Sequence, residues 1–353
     1  MRGKFPSATA HLRAFFFCLV FPVGTHAAAA ADDAVARFYT GKTIQFYIGY
    51  SAGGGYDTYA RLLARHMGEH IPGNPTIVPQ NMPGAGSLRA TNYLYTIAAK
   101  DGTAIGTFAR GMALQPVLDA TATRYDGRKF TWIGSISDEV SICAFRSEKG
   151  IKTIADMRTK TYVVGGTGPG ADTDIFSDLM RNMFHLTNMK IATGYPGSNE
   201  IVLAIERGEI DGRCGWSWSS LLSRSKRLLD DKKIDITLQF ALQKREELPN
   251  VPLVFDLTRD PRETAALKLL LSRVAMARPV AAPPGIPTER KAALRAAFDA
   301  TMTDPAYLDE ARRNELDVRP MSGAAVENLV TELYDTPPAV VALARDSIKQ
   351  ETK

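Results

Sequence analysis

Two stretches of this chain put backbone hydrogen-bond donors where an anion could sit. In the first, the apolar run Ile44-Gln45-Phe46-Tyr47-Ile48-Gly49-Tyr50 ends in Ser51-Ala52-Gly53-Gly54-Gly55, and Tyr56-Asp57-Thr58 leads into Ala60-Arg61-Leu62-Leu63. In the second, Thr161-Tyr162-Val163-Val164 ends in Gly165-Gly166-Thr167-Gly168-Pro169-Gly170, and Ala171-Asp172-Thr173-Asp174 leads toward Phe176 and Leu179. Each reads as a strand, a glycine turn and the first turn of a helix. The opening N–H groups of a helix have no partner within it, and the helix dipole adds positive potential there. Such a spot suits a carboxylate or a phosphate. One such turn is equally well a tight connection with no ligand. Two of them, far apart in sequence, predict an anion gripped from two sides.

Other chemistries fit less well. The first turn has Thr58 where G-x-G-x-x-G needs its last glycine. The second satisfies the loose form through Gly166, Gly168 and Ala171, but no acidic residue closes the following strand, Lys190-Ile191-Ala192-Thr193. No Lys-Ser or Lys-Thr pair follows either turn, which excludes a P-loop. His66-Met67-Gly68-Glu69-His70 spells H-x-x-E-H, whose imidazoles would share a helix face and could hold a metal. Gly68 and Pro72 argue against a continuous helix there, and solvated helix-end residues are the simpler reading. Gly215-Trp216-Ser217-Trp218-Ser219 lacks the last glycine of a nucleophile elbow. Asp57, Asp172 and Asp174 read as N-caps rather than bases. Arg110 and Arg213 follow strand-like segments and are candidate ligand contacts, with a solvated surface position as the alternative. Trp216 and Trp218 fit core packing or ligand stacking equally. No catalytic set, metal site or cofactor is expected.

The elements that must position these residues follow from composition and periodicity. The chain has 353 residues and a net charge of +5. Arg2, Lys4 and Arg13 precede the apolar run Ala14–Phe21, and Ala27–Ala31 supply small residues, so 1–31 reads as a signal peptide. Its removal would take the charge to +2 and leave an exported protein with no basic surface for nucleic acid. Cys143 and Cys214 then remain; they either pair in an oxidising compartment or stay as buried thiols. Strand-like and helix-like segments alternate, predicting an α/β fold with mostly parallel sheets. The expected domains are 32–138 plus 273–353 and, between them, 139–272. Residues 274–287 are Ala/Pro-rich, and only helices are expected after them, packed back on the first domain.

With these residues in place, the chain resembles the extracytoplasmic solute receptors of tripartite tricarboxylate transporters, the Bug or TctC-type proteins. The resemblance lies in Tyr50-Ser51-Ala52-Gly53-Gly54-Gly55-Tyr56-Asp57 with Ala60-Arg61, and in Asn81-Met82-Pro83-Gly84-Ala85-Gly86-Ser87 and Lys100-Asp101-Gly102-Thr103. It continues through Tyr195-Pro196-Gly197-Ser198, Glu206-Arg207-Gly208-Glu209-Ile210-Asp211 and Leu248-Pro249-Asn250-Val251-Pro252. It implies a two-lobed, type II periplasmic-binding-protein fold with a hinge and a cleft that closes on a small carboxylate. It also implies membrane transporter partners, a periplasmic location, and a monomer with no enzymatic activity. A sensor of the same ligand and a secreted metal-dependent hydrolase are the alternatives. Carried over, the ligand contacts are Ser51, Ala52, Gly53, Gly54, Gly55 and Tyr56 on one side. On the other they are Thr167, Gly168, Pro169, Gly170, Ala171 and Asp172, with Tyr195, Gly197 and Ser198. Tyr50, Arg110 and Cys214-Gly215-Trp216 depart from the family pattern at strand ends near the expected cleft, so Arg110, Arg213 and Trp216 join the candidate set.

Overall fold

The computed structural model describes residues 1, 3 and 33–350; the expected signal peptide lies almost wholly outside them. The described strands are, in chain order, β1 (Thr43–Ile48), β2 (Thr76–Asn81), β3 (Ala104–Thr107), β4 (Thr131–Ser135), β5 (Ser141–Arg146), β6 (Tyr162–Gly165), β7 (Met189–Ala192), β8 (Gly212–Ser217), β9 (Ile234–Phe240), β10 (Pro279–Ala282) and β11 (Met321–Ser322). They form two sheets, ordered β11-β4-β10-β3-β1-β2 and β7-β6-β8-β5-β9. Helices cover both, so the α/β class holds, but the sheets are mixed rather than mostly parallel. β10 runs antiparallel to β3 and β4, and β5 antiparallel to β8 and β9.

β10 is the correction of most consequence. It lies within the Ala/Pro-rich stretch and occupies the middle of the first sheet. Pro279 begins the strand and Ala281 and Ala282 are fully buried. Small apolar residues with a leading proline carry no strand-like alternation, yet they fit a slot closed on both sides.

Each sheet is packed on both faces. The helix Gly55–His66 buries Tyr59, Leu62 and Leu63 at helical spacing against one face of the first sheet, beside Leu294, Phe298 and Tyr307. Leu94, Phe108, Phe130 and Trp132 fill the other face. In the second sheet Phe176 stacks on Phe240 at 4.6 Å, while Ile201, Ile205, Trp216 and Leu221 fill the opposite side. Cys143 and Cys214 form a disulfide between the neighbouring strands β5 and β8.

The C-terminal helices divide. Thr288–Thr303, Pro305–Arg313 and Gly323–Tyr334 pack on the first sheet. The last, Pro338–Ser347, packs instead on Pro261–Leu271 and Asp172–Asn182. Its Val341, Ala344 and Ile348 make an apolar stripe that covers Leu267 and Leu270, and Arg345 Nε donates to the Leu118 carbonyl (2.9 Å).

The two sheets are joined by paired crossing segments. Glu139 N donates to Val274 O (3.0 Å) and Ala277 N to Ser137 O (2.9 Å). Both glycine turns therefore face one another across a common seam.

Candidate functional site

The two glycine turns are built alike. Gly53 (φ 83°) donates its N–H to Asp57 Oδ2 at 2.8 Å, and Gly168 (φ 134°) donates to Asp174 Oδ2 at 2.8 Å. Each aspartate is the third residue of its helix and reaches back to the turn; the N-cap residues are Gly54 and Ala171. Asp57 and Asp174 are thus not N-caps, and neither is Asp172, the first residue of its helix. Asp57 also accepts from Arg61 Nε (2.9 Å) and Asn81 Nδ2 (2.8 Å). Burial opposes its ionisation, but the Arg61, Gly53 and Asn81 hydrogen bonds outweigh it and hold the carboxyl below its ordinary 3.8.

Asp57→Ala should therefore cost about 2 kcal/mol, in the range for hydrogen bonds to a charged group. Because the folded pKa is the lower one, the ionic contribution is present above pH 3.8 and disappears as pH falls through the folded value. Chemical denaturation of wild type and Asp57→Asn should show a stability difference that shrinks on acidification. A difference constant between pH 6 and about pH 3 would contradict this ionic account.

Across the seam the turns touch. Gly86 N donates to Thr167 O (3.0 Å), Ser51 N to Pro196 O (3.2 Å), Ser51 Oγ to Glu200 Oε2 (2.9 Å), and Asn199 Nδ2 to Ala52 O (3.1 Å). A Cβ at Gly168 would stand 2.6 Å from Gly86 N, so only glycine permits this approach. The N–H groups of Ser51, Gly53, Thr167, Gly168 and Ala171 are all taken by protein acceptors. These are among the donors expected to hold a ligand; here Ser51 N bonds across the cleft to Pro196 O, and the other four bond within their own turns.

Beneath that rim lies a small cavity of about 30 Å³, lined by Tyr50, Gly55, Tyr56, Ala109, Arg110, Thr167, Asp172, Thr173, Ser198, Arg213, Gly215, Ser217 and Ser220. Three helices begin on it: Gly55–His66, Asp172–Asn182 and Ser198–Glu206. Among the described residues none of the three has a side-chain N-cap bond, so their opening N–H groups and dipoles face the cavity.

β8 brings the charge. Gly212 pairs with Val164 near the carboxyl end of β6, so β8 runs on past that end along the cavity. Arg213, Gly215 and Ser217 line it; a bulge at Gly215 (φ 69°) breaks the alternation of the strand, so that Cys214 is buried on one face of the second sheet and Trp216 on the other, beside Arg213. Arg213 is 3% exposed. Its guanidinium lies 5.1 Å from the Trp216 ring, and Nη2 is 3.4 Å from Ser198 Oγ. Among the described residues Nε and Nη1 have no hydrogen-bond partner. Burial lowers its pKa to about 10, so it remains charged at neutral pH.

Arg110 is differently placed. Its Nε donates to Asp172 Oδ2 (2.6 Å) and Nη2 to Ser141 Oγ (2.6 Å), while its backbone N donates to Tyr56 Oη (3.0 Å). Burial alone would lower its pKa, but the charge and hydrogen bond of Asp172, with Tyr56 and Glu139, together outweigh it and raise the pKa. Arg273 Nη1 approaches Asp172 Oδ1 at 3.6 Å, and Arg278 pairs with Glu139 at 3.1 Å just behind Ser220. On the cavity wall two buried arginines, Arg110 and Arg213, thus face one carboxylate, Asp172, among the described residues, leaving one positive charge in excess.

Of the candidate residues, Gly55, Tyr56, Arg110, Thr167, Asp172, Ser198 and Arg213 line the cavity. Ser51, Ala52, Gly53, Gly54 and Gly197 form the rim and its turns, and Gly168 meets Gly86 there. Pro169 is exposed and lines a separate depression, Gly170 accepts from Arg273, and Ala171 is a buried N-cap. Tyr195 packs against the second sheet's core and Trp216 is 1% exposed beneath Arg213. Tyr50, Ala109, Thr173, Gly215, Ser217 and Ser220 were not among the candidates. His66 and His70 turn to separate carboxylates, Glu310 (2.7 Å) and Asp304 (2.9 Å), because the helix ends at His66 and a tighter turn follows.

No family model and no curated protein matches the chain in sequence. Solved structures do match in shape. The periplasmic binding protein BugD superposes with a TM-score of 0.70 at 18% identity, over 88% of this chain and 98% of its own. MatC from Rhodopseudomonas palustris with bound malate gives 0.67 at 18%, over 87% and 99%. An R. palustris protein with adipate gives 0.67 at 18%, over 86% and 97%. The chain therefore has the two-domain α/β fold of the Bug-type periplasmic solute-binding proteins.

Proposed function

We propose that the protein is an extracytoplasmic receptor that captures a small carboxylate in the cleft between its two sheets and delivers it to a membrane transporter. The observation that carries this reading is the convergence of three helix N-termini and an excess of one positive charge on one buried cavity. The malate and adipate held by similarly folded proteins support the ligand class. The halves, 32–138 with the chain from 273 up to the last helix, and 139–272 with the helix Pro338–Ser347 packed on it, open and close on the ligand, and the rim bonds between Ser51 and Glu200 and between Gly86 and Thr167 fasten the closed state. The protein works as a periplasmic monomer by binding alone. Ser198, Ser217 and Ser220 bring hydroxyls to the cavity, but the histidines His66 and His70 are engaged elsewhere.

A thermal-shift screen over mono-, di- and tricarboxylates, amino acids and aromatic acids tests this. A cognate acid at a hundred times its Kd should stabilise by about 2.7 kcal/mol, and its neutral amide should do nothing. Equal shifts from acid and amide, or none from any acid, would refute the reading.

A further inference from the structure

The one positive charge in excess on the wall can be assigned, and its place specifies the ligand more closely. Arg273 sits behind Asp172, with Nε on Leu270 O (2.9 Å) and Nη1 on Gly170 O (3.2 Å); it is not part of the cavity wall. Arg213 is part of that wall, is 3% exposed, and lacks a partner for Nε and Nη1 among the described residues. A buried guanidinium with two idle donors is costly unless an anion occupies them. The helix N-termini at Gly55 and Asp172 supply a separate set of donors on the facing side. Resting on the carboxylate reading, we infer that Arg213 is a specificity-determining residue that holds a second acidic group, so that the receptor selects diacids over monoacids.

The same wall rejects an ammonium group. Its one carboxylate, Asp172, has Oδ2 taken by Arg110 and Oδ1 beside Arg273. The hydroxyls of Ser198, Ser217, Ser220 and Tyr56 can donate to an anion, and the one carboxylate oxygen without a hydrogen bond, Asp172 Oδ1, already faces the Arg273 charge at 3.6 Å. Trp216 under the guanidinium fixes where the second charge is read. Two anionic groups and no cationic one is therefore the ligand class that matches every charged group on the wall.

Calorimetry on the purified protein with malonate, succinate, glutarate and adipate, each beside its half-amide, tests the inference, with L-aspartate as succinate bearing an ammonium. At least one diacid should bind about 10- to 100-fold more tightly than its half-amide, and aspartate should bind far more weakly than succinate. In Arg213→Gln the diacid should weaken to the level of its half-amide, with the half-amide unchanged. Arg213→Lys, which keeps the charge and guards against a folding defect in the glutamine variant, should keep most of the preference. A half-amide as tight as its diacid, a preference that survives Arg213→Gln, one lost equally in Arg213→Lys, or aspartate equal to succinate would each overturn the role of Arg213 while leaving carboxylate capture standing. No binding by any acid or half-amide would overturn the carboxylate reading and this inference with it.

Discussion

Replacing Glu139 by alanine should cost about 3–5 kcal/mol of stability, the penalty for stranding one member of a buried ion pair. Glu139 and Arg278 lie on the two segments that cross between the sheets, and both side chains are 1% exposed. Arg278 Nη2 donates to Glu139 Oε2 (3.1 Å), Ser219 Oγ (3.2 Å) and Ser220 Oγ (3.1 Å). Its guanidinium lies 4.9 Å from the ring centres of both Tyr56 and Tyr59. Glu139 Oε1 accepts from Val140 N (3.0 Å) and Ser219 N (3.3 Å), so it also caps the helix Trp218–Ser225 from outside. Alanine removes the only carboxylate paired with Arg278 among the described residues and uncaps that helix in one step. Denaturant titration checks the value. The double variant Glu139→Gln/Arg278→Met should recover much of the loss, because it removes the charge with its partner. A loss below about 1 kcal/mol for Glu139→Ala would mean that water or the tyrosine faces suffice for Arg278.

The glycine turns were legible because they obey a local rule: strand end, left-handed glycine, helix start. That rule pointed to Gly55, Tyr56, Thr167 and Asp172, which line the cavity, while Ser198, also on its wall, came from the resemblance. It misassigned the donors, since it could not register that Asp57 and Asp174 claim the N–H groups of Gly53 and Gly168. Arg110 and Arg213 stood out at the ends of strand-like segments, Arg110 also as a departure from the family pattern, but their roles depend on partners far along the chain. Asp172 lies 62 residues from Arg110, and no spacing rule connects them. Ser220, Thr173 and Arg278 were invisible for the same reason: each reaches the cavity through the packing of a helix or a crossing segment. In the fold, alternating segments disclosed nine strands to within a few residues. β10 was lost because Pro279-Val280-Ala281-Ala282 has the composition of a linker and gains its pairing only from β3 and β4. The last helix was misplaced because an apolar stripe does not declare which surface it covers.

The second large effect is expected at Gly55, on the first turn of the helix that opens on the cavity. Its backbone is helical and would accept any side chain. The constraint comes from across the cleft: a Cβ there would overlap Ser220 Oγ and stand 3.1 Å from Ser220 Cβ and 3.4 Å from Arg278 Nη2. Gly55→Val should therefore leave each sheet and its helices folded while holding the two halves apart. Overpacking of this kind costs about 1–3 kcal/mol, and here the cost falls on the closed state alone. Ligand affinity should fall about 10- to 100-fold, with the melting temperature of the ligand-free protein little changed. Gly54 provides the internal comparison. It has φ −78° and its nearest neighbour across the cleft is Ser198 Cβ at 3.5 Å, an ordinary contact. Gly54→Ala should thus bind nearly as wild type does, even though it sits one residue away in the same turn. Small-angle scattering with a bound diacid should show compaction for wild type and Gly54→Ala but not for Gly55→Val. Normal affinity in Gly55→Val would show that ligand binding does not need the approach of Gly55 to Ser220, and the closed cleft would lose its part in capture.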